Sequence, residues 1–258
     1  MKTTLFAAAL LALSGASYVR AGIFPQHAFT DDARGAAAAQ FLKSPPSARF
    51  SALGSGASAL NAPDAVFYNP AGAAYIPEGS GAVMLGYESL LQDSGRGAAA
   101  WLNGLSRGVI GVGAVYRSDA GLRRYDDFGE PAGSFDAYDA AFAGYYGART
   151  GPADAGVALK YVRSSVADRS AGAVAADIGV LLNERSARGM RAALYARNLG
   201  SRMKLGSERA PLPAEFGAGL GWNYVPRLGL FMDGRLPADH APYLVISGEY
   251  AVPFDRGS

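Results

Sequence analysis

Cysteine is absent from this chain, histidine occurs twice, and no uninterrupted apolar stretch approaches the roughly 18 residues of a membrane-crossing helix. The missing thiols exclude a disulfide scaffold, thiolate metal sites, cysteine nucleophiles and lipid attachment through an N-terminal cysteine. His27 and His240 are isolated, each without a second ligand at helical or turn spacing, so neither a metal site nor a cofactor is expected. An excess of one charge is lacking too, with 24 Lys and Arg against 22 Asp and Glu.

The longest apolar run lies at the N-terminus, where Met1-Lys2 precedes Leu5 to Leu13 and small residues lead to Val19-Arg20-Ala21. The run is too short to span a bilayer as a helix, and Val19 and Ala21 occupy the small-residue positions that a signal peptidase reads. Residues 1–21 are therefore expected to be a secretory signal peptide cleaved before Gly22, with Ala16 as an alternative end. Loss of Lys2 and Arg20 leaves 22 bases against 22 acids, so the basic pI carries no message about nucleic acid. An exported chain without a long apolar helix is soluble, surface-attached or a β-barrel.

What the sequence does have is alternation. Phe216, Ala218, Leu220, Trp222 and Tyr224 share one parity, and Glu215, Gly217, Gly219, Gly221 and Asn223 the other. Successive strand side chains face opposite ways, so this is a two-faced strand. Leu228, Leu230, Met232 and Leu236 repeat the pattern against Gly229, Asp233 and Arg235, with Phe231 breaking the polar parity. Val174, Ala176, Ile178, Val180 and Leu182 oppose Asp177 and Gly179, and Met190, Ala192, Leu194 and Ala196 oppose Arg191, Tyr195 and Arg197. A soluble sandwich alternates as well, but these segments run nearer the roughly 9 to 11 residues of membrane-spanning strands, with aromatic residues toward their ends.

Strand candidates fall at 79–88, 96–105, 107–118, 135–149, 154–168, 172–184, 188–199, 213–225, 226–236 and 242–252. Connectors at 119–134 and 200–212 are long, charged and proline-bearing, whereas Leu105-Ser106-Arg107 and Val225-Pro226-Arg227 are tight, as in barrels with short periplasmic turns and longer outer loops. Residues 22–78 lack sustained alternation and read as a separate N-terminal plug or hatch before a transmembrane barrel at 79–258. Thr30-Asp31-Asp32 offers caps for a helix through Ala36 to Leu42, stopped by Pro45-Pro46; Asp64 caps a further turn; Asn69-Pro70 forces the chain out of helix before Ala71.

The segment Phe41-Leu42-Lys43, Ala48-Arg49, Leu53-Gly54-Ser55-Gly56-Ala57 and Asp64-Ala65-Val66-Phe67-Tyr68-Asn69-Pro70-Ala71-Gly72 resembles the N-terminus of the PorV/PorQ family of bacterial outer-membrane proteins, within the FadL-like superfamily. Further matches follow in the family's order, among them Ser134-Phe135-Asp136-Ala137-Tyr138-Asp139, Ala175-Ala176-Asp177-Ile178-Gly179, Ala196-Arg197-Asn198-Leu199-Gly200 and Gly248-Glu249-Tyr250. The resemblance implies an all-β, FadL-like antiparallel transmembrane barrel of fourteen strands with a small helical N-terminal plug. It also implies an outer-membrane location and a role in type IX-like protein secretion, with secretion-machinery components and secreted cargo as partners. From the family only the plug motif, Asn69, Pro70 and Gly72, carries over. About ten strands are countable here, and the chain stops at Phe254-Asp255-Arg256-Gly257-Ser258 without the family's terminal strand, so a C-terminally truncated barrel is expected.

Gly54-Ser55-Gly56-Ala57-Ser58-Ala59 fits a dinucleotide fingerprint, but no βαβ context surrounds it, and backbone freedom where a plug enters a barrel is the preferred reading. Asp31-Asp32 and Asp126-Asp127 are neighbours in sequence and read as solvated loops rather than acid/base pairs. No serine stands in a nucleophile elbow, so enzymatic activity is not expected. Charges on strands would be costly toward lipid, so Lys160, Asp177, Arg191, Arg197, Asp233 and Arg235 are assigned to the lumen, and Arg163 and Arg227 to the lumen or an interface. Three functions then compete: a PorV/PorQ-like interaction protein of secretion, a FadL-like transporter of hydrophobic small molecules, and, last, an outer-membrane hydrolase.

Overall fold

A computed structural model describes residues 23–44, 46–91, 93–183, 189–223 and 226–253; the expected signal peptide and residues 254–258 lie outside them. The alternating segments form strands β1 (Gly81–Ser89), β2 (Ser94–Leu105), β3 (Gly108–Tyr125), β4 (Pro131–Arg149), β5 (Ala153–Val166), β6 (Arg169–Asn183) and β7 (Met190–Gly200). A small separate hairpin, β8 (Met203–Leu205) and β9 (Glu208–Ala210), intervenes before β10 (Glu215–Trp222), β11 (Leu228–Pro237) and β12 (Tyr243–Tyr250). The protein is all-β, with one ten-stranded antiparallel sheet in the order β1 to β7, then β10 to β12. β1 and β12 are its edges and are not hydrogen-bonded to each other, so the expected continuous ring is not formed by the described residues.

The segment before β1 lies against one face of this sheet. Pro46 O approaches Gly86 of β1, Pro77 approaches Gly104 of β2, Pro70 approaches Gly156 of β5 and Asn69 approaches Gly179 of β6. Val66 packs in one apolar cluster with Val109 of β3 and Tyr145 of β4. Phe67 O accepts from Arg197 of β7 at 3.4 Å, Ser58 meets Gly219 of β10 and Asp233 of β11, and Gly56 O accepts from Ser247 of β12 at 3.0 Å. Since one compact segment touches the same face of all ten strands, the sheet must curl round it.

That contact explains the glycines on the inner parity. A Cβ on Gly104 would lie 1.8 Å from Pro77 O, one on Gly179 1.9 Å from Asn69 Oδ1, and one on Gly219 2.1 Å from Ser58 Oγ. Glycine therefore sits where the segment's backbone meets the wall. Phe231, which breaks the polar parity of β11, faces inward too and is buried with Phe50, Leu53, Leu60 and Tyr68. Outward positions are apolar and open: Val83 is 64% exposed, Leu159 69% and Ile246 74%.

The N-terminal segment is less helical than its sequence suggests. The helix expected from Ala36 to Leu42 is absent; 3-10 turns at Asp31–Ala33 and Gln40–Lys43 replace it. Ala38 N donates to Pro211 O at 2.8 Å and Phe41 is drawn into a cluster with Val162, Ala173 and Leu212, so packing overrides the helix preference of the alanines. The one α-helix described, α1 (Ala48–Ala52), starts at Ser47, whose Oγ accepts from Phe50 N at 3.2 Å. Asp64 lies inside the 3-10 turn Pro63–Phe67 and accepts from Ser47 Oγ, rather than capping the turn itself.

Two connectors also differ from expectation. Residues 119–134 are mostly strand: beyond Asp119, where β2 ends its pairing, β3 and β4 continue together as a projecting two-stranded ribbon. Its tip is ordered by Asp126 Oδ1, which accepts from Phe128 N and Glu130 N at 2.9 Å, and Phe128 stands 91% exposed. Residues 200–212 contain the β8–β9 hairpin. At the ribbon's end of the sheet the β5–β6 connection is nevertheless tight, only Ala167 and Asp168.

Candidate functional site

The inner wall carries most of the charge of the sheet, and a β-bulge aims part of it. Ala176 pairs with Leu199 but Ile178 pairs with Ala196, so β7 holds one extra residue opposite Asp177. Asn198 takes up the irregularity with φ +58°, a conformation asparagine tolerates better than most residues. As a result neighbouring Arg197 and Asn198 are both buried, instead of facing opposite ways.

Arg197 is the Cα partner of Glu215, and its Nη2 lies 2.8 Å from Glu215 Oε1. Arg235 Nη2 reaches the same oxygen at 2.8 Å and Tyr195 Oη donates to it at 2.9 Å. Gly217 makes this convergence possible, because a Cβ there would stand 2.2 Å from Tyr195 Cζ. The guanidinium of Arg197 also lies 5.5 Å from the ring centre of Tyr68, which stacks on Phe50 with centroids 3.9 Å apart. Burial pushes the Tyr68 phenol well above its usual range, so it is neutral where it meets the wall.

A second cluster lies beside it. Lys160 Nζ is 2.7 Å from Asp177 Oδ1 and 2.5 Å from Asn198 Oδ1, and Asn198 N donates to Asp177 Oδ1 at 2.7 Å. Lys160 and Asp177 border a cavity of about 30 Å³ shared with Phe41 and Tyr145, room for one or two waters. Asp233, fully buried, accepts from Ser58 N at 3.1 Å. In the β11–β12 connection Asp239 Oδ2 lies 2.9 Å from Lys43 Nζ, and at the other end of the sheet Arg49 pairs with Glu249.

Of the residues assigned to the inside from sequence, Lys160, Asp177, Arg197, Asp233 and Arg235 lie on the inner face in these clusters, and Arg191 lies on the same face at the start of β7. Arg163 is exposed on the outer parity, and Arg227 is exposed in the connection before β11. Asn69 spans two turns of the segment: Nδ2 donates to Ser58 O at 3.1 Å while Oδ1 accepts from Ala71 N at 3.1 Å. Pro70 begins the next 3-10 turn, and Gly72 fits where a Cβ would be 2.6 Å from Ala65 Cβ. Gly54 and Ser55 both have positive φ in the turn after α1, and no strand precedes them among the described residues, so the strand-turn-helix setting of a dinucleotide site is not found there.

Glu215, the centre of the larger cluster, was not singled out, although it leads the cleanest alternating strand on the polar parity. Tyr68, Tyr195 and Asn198 were missed as well, since a tyrosine or asparagine on a strand carries no signal until its neighbours are known. His240 Nε2 lies 3.7 Å from Asp31 Oδ1 at an exposed corner. Among the described residues no three His, Cys, Asp or Glu side chains gather as a metal site. Taken together, most of the inner charges pair with one another, and several fasten the N-terminal segment. No protein-family model matches the chain, and no curated protein or solved structure is significantly similar to it.

Proposed function

We propose that the sheet spans the bacterial outer membrane as a FadL-like β-barrel, closed across β1 and β12, with the N-terminal segment as a fixed plug. In this reading it serves, without catalysis, as a PorV/PorQ-like structural and interaction protein that supports delivery of secreted proteins to the cell surface. The observation that carries the membrane part is the sorting of side chains. Outward residues on all ten strands are apolar or small over the central band, while the central inward charges are paired. On β4 the outward band runs from Tyr138 to Ala148, eleven residues whose ten steps of about 3.3 Å at about 40° of tilt cover roughly 25 Å, the height of a lipid-facing band. Tyr87, Tyr116 and exposed Arg163 lie in register with Ala140 near one end of that band, toward the margin where aromatic and basic side chains meet headgroups. Closure is part of the proposal because hydrocarbon leaves unpaired strand edges without partners.

The secretion role rests on the family resemblance, and two features favour an interaction protein over a conduit. The space beside the central Lys160–Asp177 charges is only about 30 Å³, whereas pockets for small-molecule ligands run to roughly 300 Å³ or more. The β3–β4 ribbon presents an ordered tip with an open aromatic ring. The FadL-like transporter reading needs a path through this centre, which the N-terminal segment fills.

The test is fractionation followed by co-purification. The mature chain should remain in the outer-membrane fraction, require detergent, and change mobility on heating in SDS. Tagged protein should then recover secreted or secretion-associated proteins, and replacing residues 123–130 with a two-residue turn should abolish that recovery while heat-modifiability stays. A detergent-free soluble monomer would end the membrane reading, and uptake of fatty acids without protein partners would shift the choice to transport.

A further inference from the structure

Two inner or rim charges, Arg191 and Arg227, take no part in seating the plug. At the end of the sheet with the β2–β3 turn, a cavity of about 440 Å³ opens between the plug and the ends of β7, β10, β11 and β12. Arg49, Arg191 and Arg227 line it, and Glu249 is its one carboxylate. Arg49 already takes both oxygens of Glu249, with Nε 2.9 Å from Oε2 and Nη2 2.5 Å from Oε1. That hydrogen bond holds the Arg49 guanidinium above its usual pKa, so it stays charged.

Arg191 and Arg227 have no acid in ion-pair range among the described residues. Arg191 Nη2 instead lies 2.5 Å from the amide of Asn223, which presents its oxygen to the guanidinium and its nitrogen to Trp222 O. A neutral amide does not cancel charge, so a partly covered guanidinium beside two others leaves the cavity short of negative charge. The missing occupant thus carries anionic oxygens, which two guanidiniums grip well. Leu228 and Tyr250 lead from the cavity toward the outer apolar face.

We propose that this cavity binds a phosphate group, as a free phosphate or monoester or as the headgroup of an anionic phospholipid. The lipid source rests on the membrane reading above; the free source does not.

Purified full-length mature protein in neutral detergent would be titrated calorimetrically with inorganic phosphate and glycerol 1-phosphate. Separately, protein in vesicles of phosphatidylcholine with one-fifth phosphatidylglycerol would be extracted and the retained lipid identified by native mass spectrometry. Saturable phosphate binding without retained phosphatidylglycerol supports the site with a free ester as its source, and the converse supports it with a headgroup. In either arm Arg191→Gln with Arg227→Gln should weaken binding about tenfold or more, while Arg163→Gln on the outer face should change nothing. Arg227→Gln alone, in an exposed connection, should weaken it measurably even if the double variant folds poorly. Absence of binding in both arms, or binding untouched by Arg227→Gln, overturns the proposal. Should the protein prove soluble, the phosphate titration runs unchanged in plain buffer, so loss of the membrane reading and loss of this site remain separate results.

Discussion

Arg197 and Glu215 face each other in register across β7 and β10, joined at 2.8 Å with each side chain only 2% exposed. Because Arg235 reaches the same Oε1, a single carboxylate is shared by two guanidiniums. Glu215→Gln strands both cations and should cost about 3–5 kcal/mol. Arg235→Met should cost less, since Glu215 keeps Arg197. Urea unfolding in detergent, followed by heat-modified mobility, measures both, and equal losses would contradict the shared-carboxylate arrangement.

The inner glycines make a separate prediction. Gly156→Val places its first carbon 2.3 Å from Pro70 C, and Gly179→Val 1.9 Å from Asn69 Oδ1, whereas a Cβ on outward Gly144 meets nothing within 4 Å. The first two should loosen the plug and destabilise the fold by about 1–3 kcal/mol or more, and Gly144→Ala should be close to neutral. Protease cleavage within residues 46–78 reads the difference.

The outer face allows a direct test of its surroundings. Leu159 is 69% exposed in the middle of β5, so Leu159→Arg in water should change stability by no more than about 0.5 kcal/mol. Facing lipid at mid-depth, the same change should cost about 2–4 kcal/mol. Comparing refolding yields of the variant in bilayers and in detergent separates the two cases, and tolerance in bilayers would count against the membrane reading.

Ser47 acts twice, capping α1 through Phe50 N and donating to Asp64. Ser47→Ala should cost about 1 kcal/mol from the lost cap, visible as earlier hydrogen exchange at Phe50 than at strand amides. Exchange unchanged at Phe50 would remove the cap from the account.

Period-two alternation is local, so the ten main strands were legible from residues alone: the stretch from Glu215 to Trp222 specifies its two faces without knowledge of any neighbour. The ribbon beyond Asp119 was not legible, because it has no buried face and Arg123, Arg124, Asp126 and Glu130 place charge on both parities. The Ala36–Leu42 region misled for the opposite reason, since good local helix signals yielded to the pull of Phe41 into a distant cluster. Individual inner charges could be named from parity, but their partners could not. The meeting of Arg197, Glu215 and Arg235 depends on β10 lying beside β7 with the β8–β9 hairpin set aside.

The plug precedes every strand that surrounds it, and this ordering has a kinetic side. Its contacts reach from Pro77 with Gly104 to Arg49 with Glu249, close to the two ends of the described chain. Such distant pairings make collapse slow, because loops must close before the contacts that reward them exist. The early residues behave as a casting form whose last wall arrives with β12, so α1 should be the final element to become protected during refolding, although it is synthesised before the entire sheet.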